Sequence, residues 1–161
     1  MSASGAELFG ALIASAGSEL ARKQAVQSVL ACNEKSAQYA LTLTEKEAAE
    51  LVETKNESLK ENGIIEFKPG ITELIIRTFC DSPYLDCRNY ASSLNELVDI
   101  FFTLKRECED SITDIQAVKF LKYCFDNVTG GDLDSLGDCV SRLLRHLNAG
   151  KKIETFSFRD Y

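Results

Sequence analysis

The feature that most constrains the fold is a proline-free stretch around residue 100, in which apolar residues recur every three or four positions. The repeating positions are Leu94, Leu97, Val98, Phe101, Leu104 and Cys108. This spacing places them on one face of a helix, and Ile100 and Phe102 add apolar surface elsewhere on the cylinder. The pattern therefore predicts a central helix over 87–109 that other elements cover on more than one side.

Start and stop signals predict further helices on both sides of this central one. Thr44 followed by Glu47 matches the capping box, in which two side chains and two backbone N–H groups bond reciprocally. Thr113 and Gln116 repeat the pattern. With the apolar periodicity, these signals predict helices over 18–40, Glu45 to Asn62, Ile71 to Cys80, Asp114 to Asp126 and Asp132 to Gly150. The predicted fold class is all-α, a single-domain bundle of five to six helices around the central helix.

Two short segments have β character instead. Residues 64–67 are β-favouring, and residues 153–158 alternate apolar and polar side chains, so the two could pair into a minor two-stranded ribbon. Residues 1–17 are small and interrupted by glycine, which predicts a flexible or weakly helical arm. We therefore divide the chain into this arm, a helical domain over 18–150 and a C-terminal tail over 151–161.

The composition indicates a globular protein with an acidic surface. Of the 161 residues, 45% are hydrophobic and 27% are charged, and the formal net charge is −7. A negative net charge disfavours binding to nucleic acid, because that binding depends on lysine and arginine contacts to phosphate. It also disfavours binding to anionic lipid headgroups. We therefore predict neither a nucleic-acid partner nor a membrane partner.

The six cysteines are expected to be reduced thiols. The N-terminal segment lacks the basic region of a secretory signal, and its apolar patch is too short to span a bilayer. Nothing else in the sequence indicates an oxidising compartment, in which disulfides persist. A cytoplasmic location is predicted.

The sequence lacks the recognised motifs for nucleotide, metal and nucleophile chemistry. None of G-x-x-x-x-G-K-[ST], G-x-G-x-x-G, G-x-S-x-G and C-x-x-C occurs, and the loop over 126–137 lacks the ligand residues of an EF-hand. His146 is the single histidine, and we expect it to form a cationic helix end with Arg142 and Arg145. No cofactor and no metal is therefore predicted.

The most motif-like stretch is FCDSPY, which begins at Phe79 at the end of a predicted helix. At Cys80, the negative end of the helix dipole and the neighbouring Asp81 both disfavour a thiolate, so a nucleophilic cysteine is not expected. Pro83 instead ends one helix and directs the chain into the central one. The candidate ligand- or partner-binding residues of this stretch are Asp81, Ser82 and Tyr84.

The predicted helix that starts at Glu45 has two further polar features. Asn56 borders its apolar arc, where the side chain could bond a neighbouring segment or contact a ligand, so Asn56 is also a candidate binding residue. Glutamates occupy the opposite arc at Glu47, Glu50, Glu53, Glu57 and Glu61. Lysines are interspersed and no second acidic helix with an E-x-x-H pattern exists, so this arc is interpreted as a solvated face or a docking face for a basic partner.

Several motifs together resemble a known family. The combination of LTLTE, NESLKENG and FCDSPY with the helix LNELVDIFFTLKRE is similar to a bacterial protein family of unknown function, found mainly in clostridia and related Firmicutes. The likeness covers Cys32 to Phe125. That family has no established activity, so the resemblance implies no catalytic residue. It implies an intracellular bacterial origin.

These observations favour a non-catalytic protein-interaction or regulatory helical module. Its partner would be a protein of unknown identity, and a basic one would complement the acidic surface; no oligomeric state is predicted. Two alternatives stay open, a small-ligand-binding helical domain and an enzyme that uses carboxylates or Cys80 without a recognisable motif. An exposed apolar patch would favour the interaction module, and a pocket with perturbed titratable groups would favour an enzyme.

Overall fold

The computed structural model describes residues 19–64, 70–109 and 111–160. Over these residues the fold has six helices of nine residues or more and no strand, which confirms the predicted all-α single domain. The helices cover 19–31 (α1), Asn33–Ser36 (α2), Glu45–Glu61 (α3), Ile71–Phe79 (α4), Tyr90–Cys108 (α5), Asp114–Asn127 (α6) and Leu133–Asn148 (α7). Three-residue 3-10 turns cover Ala37–Tyr39, Ile153–Thr155 and Phe158–Asp160.

Helix α5 lies at the centre, as its apolar periodicity predicts. It packs against α3, α4, α6 and α7. Its repeating residues Leu94, Leu97, Val98, Phe101 and Leu104 are at most 1% exposed. Phe102, which points away from that face, is also buried, so the helix is covered on more than one side.

The central helix is shorter than the predicted 87–109. Residues 87–89 form a turn, because the carboxylate of Asp86 accepts the backbone N–H groups of Arg88 (2.8 Å) and Asn89 (3.1 Å). The Asn89 side chain accepts the backbone N–H of Asp86 in return, at 2.8 Å. Asp86 and Asn89 therefore close a turn directly before the helix.

Both predicted capping boxes are confirmed. The Thr44 hydroxyl accepts the backbone N–H of Glu47 at 3.1 Å, and the Glu47 carboxylate accepts the N–H of Thr44 at 2.9 Å. Thr113 and Gln116 form the same pair of bonds at the start of α6. These contacts satisfy backbone donors that a helix start otherwise leaves unbonded.

The predicted helix over 18–40 is broken at Cys32, where α1 gives way to α2 and a 3-10 turn. The Asn33 side chain explains the course of the chain beyond the break. Its amide nitrogen donates to the carbonyl of Leu43 (2.9 Å), and its amide oxygen accepts the N–H of Leu43 (2.8 Å). This paired bond holds the connection to α3 in place and lets Leu41 and Leu43 enter the core.

The prediction of a strand over 153–158 is wrong. Two 3-10 turns occupy this segment, and Ile153, Phe156 and Phe158 all pack against the core instead of alternating between faces. Of its predicted ribbon partner 64–67, residues 65–67 lie outside the described residues, as does the predicted arm over 1–17. The division into arm, domain and tail stays a prediction.

His146 lies with Arg145 in the last turn of α7, as predicted, but its side chain is buried. It is 2% exposed, and its Nε2 lies 2.8 Å from the carbonyl of Lys152 and 3.0 Å from the Thr155 hydroxyl. Its ring meets that of Phe156 edge to face at 5.4 Å. The histidine therefore joins the end of α7 to the C-terminal tail.

Thr44→Ala should lower the free energy of unfolding by about 1 kcal/mol, because the backbone N–H of Glu47 loses its acceptor. Chemical denaturation followed by circular dichroism measures the change. Thr42→Ala is the matched control, since Thr42 is exposed in the connection before α3 and its loss should cost less than about 0.5 kcal/mol. Equal losses for the two variants would contradict the capping role.

Candidate functional site

The FCDSPY stretch forms a tight connection after α4. The backbone N–H of Ser82 donates to the carbonyl of Phe79 at 2.9 Å, and the Ser82 hydroxyl accepts the N–H of Tyr84 at 3.3 Å. Side-chain and backbone bonds thus close two turns around Pro83, which cannot continue a helix. The stretch ends one helix as predicted.

Cys80 is buried and unsuited to nucleophilic chemistry. Its side chain lies in the core at 1% exposure. Burial raises the pKa of the Cys80 thiol, and the positive charge of Lys35 offsets this only in part. A thiol that stays protonated and out of contact with solvent is a core residue, in agreement with the sequence-based interpretation.

Asp81 and Ser82 belong to a polar cluster that reaches across to α6. The Ser82 hydroxyl donates to the carboxylate of Asp126 at 2.6 Å. The Lys122 ammonium bonds the second oxygen of Asp126 and also the carboxylate of Asp81, the latter at 2.8 Å. Lys122 and Asp126 could not be predicted from local sequence patterns, because their partners Asp81 and Ser82 lie some 40 positions away on a separate element.

The cluster stabilises the connection and shows no feature of a catalytic group. Burial alone would lower the pKa of Lys122, but its hydrogen bonds to Asp126 and Asp81 outweigh burial and raise the pKa, so the amine stays charged and is no general base. Ser82 is 5% exposed, so its oxygen is out of reach of a substrate. The arrangement anchors the α4–α5 connection on α6.

Tyr84 packs against the loop between α6 and α7. Its ring meets that of Phe125 edge to face at 6.2 Å, and its Cβ lies so close to Gly131 that a Cβ there would come within 2.5 Å. Gly131 also has a φ of +85°, so glycine fits this contact for two reasons. Tyr84 remains 42% exposed and therefore accessible to a partner.

Asn56 lies apart from these residues. It is exposed and lines a shallow depression between α1 and α3, together with Arg22 and Glu53. The polar side chains that join α3 to the central helix are its neighbours. Thr54 donates to the Asn95 side chain at 2.5 Å, and Ser58 donates to the Asp99 carboxylate at 2.9 Å.

A second depression, with a different lining, lies where the C-terminal tail crosses α6. Its volume is about 430 Å³, and its lining is mostly aromatic: Phe120, Tyr123, Ile153, Phe156, Ser157, Phe158 and Arg159. The ring of Phe158 stacks on Phe120 at 6.2 Å with an interplanar angle of 18°. Phe156 meets both rings edge to face, at 5.4 Å from Phe120 and 4.9 Å from Phe158. We call this site the tail pocket.

The apolar surface continues from the tail pocket along α6. Ile115 and Tyr123 are 55% and 56% exposed and lie eight residues apart, with the exposed Lys119 midway between them. Residues four apart share one face of a helix, so the three form a stripe beside the pocket. We call the stripe and the tail pocket together the tail surface.

The tail surface does not follow from the apolar–polar pattern of the sequence. The alternation of apolar and polar residues in the tail predicts a strand. In that strand Phe156 and Phe158 would share one face, but the strand would lie beside residues 64–67. The signal that could have found the site is the density of aromatic residues near the end of the chain. Large aromatic side chains that do not belong to a strand favour packing against one another.

The described residues offer no metal centre and no membrane span. No group of three or more histidine, cysteine, aspartate or glutamate side chains is arranged there to hold a metal ion. None of the helices in the same residues is long and apolar enough to cross a bilayer.

Asp126→Ala should lower the free energy of unfolding by about 2 kcal/mol, because it removes the acceptor of Ser82 and an inner partner of Lys122. Asp81→Ala is the matched control. Asp81 bonds the same ammonium from a side chain that is 56% exposed, so its loss should cost less than about 1 kcal/mol. Urea denaturation at neutral pH measures both changes, and equal costs would contradict the anchoring role of Asp126.

The stabilisation by the Lys122 charge should be lost as the pH rises into the alkaline range. The folded pKa is raised above the ordinary 10.5, so the stabilisation is fully present below that value and disappears as the pH rises through the folded pKa. The difference in free energy of unfolding between the wild type and Asp126→Ala should therefore shrink in this range. Denaturation at a series of pH values measures it, and a difference that grows with pH would contradict the assignment.

One thiol of the native protein should react rapidly with an aromatic disulfide reagent. Cys87 is exposed, whereas the other cysteines are buried. Absorbance of the released thiolate counts the reacting groups before and after denaturation. Cys87→Ser should abolish the fast phase and Cys80→Ser should retain it; a fast phase that survives in Cys87→Ser but not in Cys80→Ser would restore a reactive Cys80.

The comparisons with known proteins assign a family. No curated protein and no solved structure matches the chain significantly. A model described as a family of unknown function (DUF6323) matches residues 28–153, which include the FCDSPY stretch and extend beyond the resemblance over Cys32 to Phe125 at both ends. Because this match covers well over half of the sequence, the chain belongs to the DUF6323 family of unknown function.

Proposed function

We propose that the chain is a non-catalytic protein-interaction or regulatory module that docks its partner on the tail surface. The observation that carries the proposal is the exposure of Ile115 and Tyr123, at 55% and 56%, beside a concave aromatic pocket. Exposed apolar groups that rim a pocket are typical of docking sites, and aromatic residues dominate the binding energy at such sites.

The geometry around the other candidate residues gives catalysis little support. Cys80 and Ser82 are buried, and the Lys122 amine is held in its charged form. An enzyme needs a titratable group with an adjusted pKa in an accessible cleft. The tail pocket has Arg159 as its charged lining residue, and a guanidinium does not exchange protons at physiological pH.

A small-ligand-binding domain is the second candidate, and the size of the tail pocket favours it. A volume of about 430 Å³ is within the range of small-molecule sites, and its aromatic lining with a few polar groups fits their usual composition. A small molecule that is retained in native mass spectrometry and lost in Phe158→Ala would favour this alternative over a protein partner.

Other parts of the surface contribute secondary proposals. A groove between α3 and α5 is lined by four carboxylates, those of Glu57, Glu61, Glu96 and Asp99, so a basic partner would dock there. Asn56, Asp81 and Tyr84 are exposed and remain proposed contact residues, and Ser82 would act by positioning its neighbours. We place the protein in the cytoplasm of a bacterium, as the resemblance implies.

A photo-crosslinking phenylalanine derivative at position 123 should capture a protein partner in cells of the source organism, because that exposed side chain belongs to both the stripe and the tail pocket. The matched control replaces Tyr39, which is 46% exposed on a 3-10 turn outside this surface. Gel electrophoresis with mass spectrometry measures the adducts. Absence of an adduct from position 123, or the same adducts from position 39, would contradict docking at the tail surface.

A further inference from the structure

We propose that the tail surface selects a segment of another protein that carries one bulky apolar side chain flanked by carboxylates. The apolar side chain enters the tail pocket, and the carboxylates meet Lys119 and Arg159. This inference rests on the proposed function and adds the chemistry of the partner to it.

The tail pocket accounts for the apolar anchor. Its walls are ring faces and edges held by mutual packing, with Phe120 only 9% exposed and Phe156 and Phe158 half-buried. The tail that carries two of these rings is itself anchored, because His146 bonds the carbonyl of Lys152 and the Thr155 hydroxyl. An aromatic-lined recess of this kind binds an inserted aromatic or large aliphatic side chain most favourably.

The charges at the rim account for the flanking carboxylates. Of the nearby described carboxylates, Asp114 pairs with Lys105 (3.2 Å). Glu154 accepts a hydrogen bond from the neutral amide of Gln116 (3.0 Å), which leaves one negative charge against the two cations of the rim. Among the residues that the structure describes, neither Lys119 nor Arg159 has a carboxylate within ion-pair distance. The rim is therefore cationic on a chain of net charge −7, and it complements an acidic segment.

Charge also makes the alternative occupants less suitable. A second copy that packed its α6 stripe against this one around a twofold axis would bring the two Lys119 ammonium groups together at the centre of the contact. An anionic membrane or a nucleic acid would meet two cations locally but would face the repulsion of the whole acidic chain. A short acidic segment would pair with the two cations without bringing an extended negative surface close to the acidic chain.

The other depressions lack this combination of features. The depression between α1 and the start of α3 is larger, at about 610 Å³, but none of the described residues that line it is aromatic. Its cations, Arg22 and Lys23, share the lining with two carboxylates, those of Glu19 and Glu45. The groove between α3 and α5 has carboxylates without an apolar recess. Among the depressions formed by the described residues, the tail pocket combines an aromatic lining with Arg159, a cation that no carboxylate in the lining balances.

Selection of a random peptide display library on the full-length chain tests this proposal, followed by fluorescence anisotropy of a selected peptide. Selected sequences should combine an aromatic or large aliphatic residue with nearby Asp or Glu. Tyr123→Ala should weaken binding by about tenfold or more, as expected for a central aromatic contact. The double variant Lys119→Gln/Arg159→Gln should weaken binding severalfold and reduce its salt dependence.

Matched controls address general effects of the substitutions. Tyr39→Ala removes a similarly exposed tyrosine, and Arg88→Gln removes an arginine whose side chain is 89% exposed in the turn before α5. Both should bind the selected peptide as the wild type does. Because all these positions are exposed, thermal unfolding should show little change in any variant.

The outcomes separate the partner chemistry from the proposed function. The proposed need for carboxylates would be wrong if the selected peptides are apolar and contain no Asp or Glu. It would also be wrong if the double variant binds normally while Tyr123→Ala does not. In both cases the docking surface itself would still stand. The partner chemistry also fails if no selected peptide depends on Tyr123, or if phosphatidylserine vesicles or a single-stranded oligonucleotide bind through Tyr123 instead. Crosslinking at position 123 tests the docking surface independently of these results.

Discussion

Burial of the apolar faces of α5 is the constraint on which the rest of the structure depends. Four other helices pack around it, and its central residues are almost completely removed from solvent. Because apolar burial is the main favourable term in folding, the position of each surrounding helix follows from the part of α5 that it covers. The α6 stripe of the tail surface and the groove between α3 and α5 lie on the outer sides of these helices.

Polar contacts then fix the connections that apolar packing leaves undetermined. Asn33 holds the chain between α2 and α3, and the cluster of Ser82, Lys122 and Asp126 holds the connection between α4 and α5. These bonds join residues of separate elements, so each one restricts the relative placement of two segments. This is the physical role of the FCDSPY stretch: its polar residues attach a sharp turn to α6, and its cysteine belongs to the core.

The candidate site was predictable only in part. Asp81, Ser82 and Tyr84 do lie near one another, since they are close in sequence, whereas Asn56 lines a separate depression between α1 and α3. Lys122 and Asp126 could not be predicted as their partners, because nothing in local periodicity states which faces of α4 and α6 meet. The tail surface was missed for a related reason. Alternating apolar residues fit a strand, and only the presence of Phe120 and His146 beside them favours a cluster of rings instead.

The sequence by itself determined the helical class, the start of α3 and of α6, and the identity of the central helix. These properties depend on residues three or four positions apart, so they can be predicted from the spacing of residues along the chain. Tertiary structure decided the break at Cys32, the burial of His146, the course of the tail and the tail surface. Each of these features depends on contacts between residues that are distant in the chain. Such contacts stabilise the protein only once the helices have packed together.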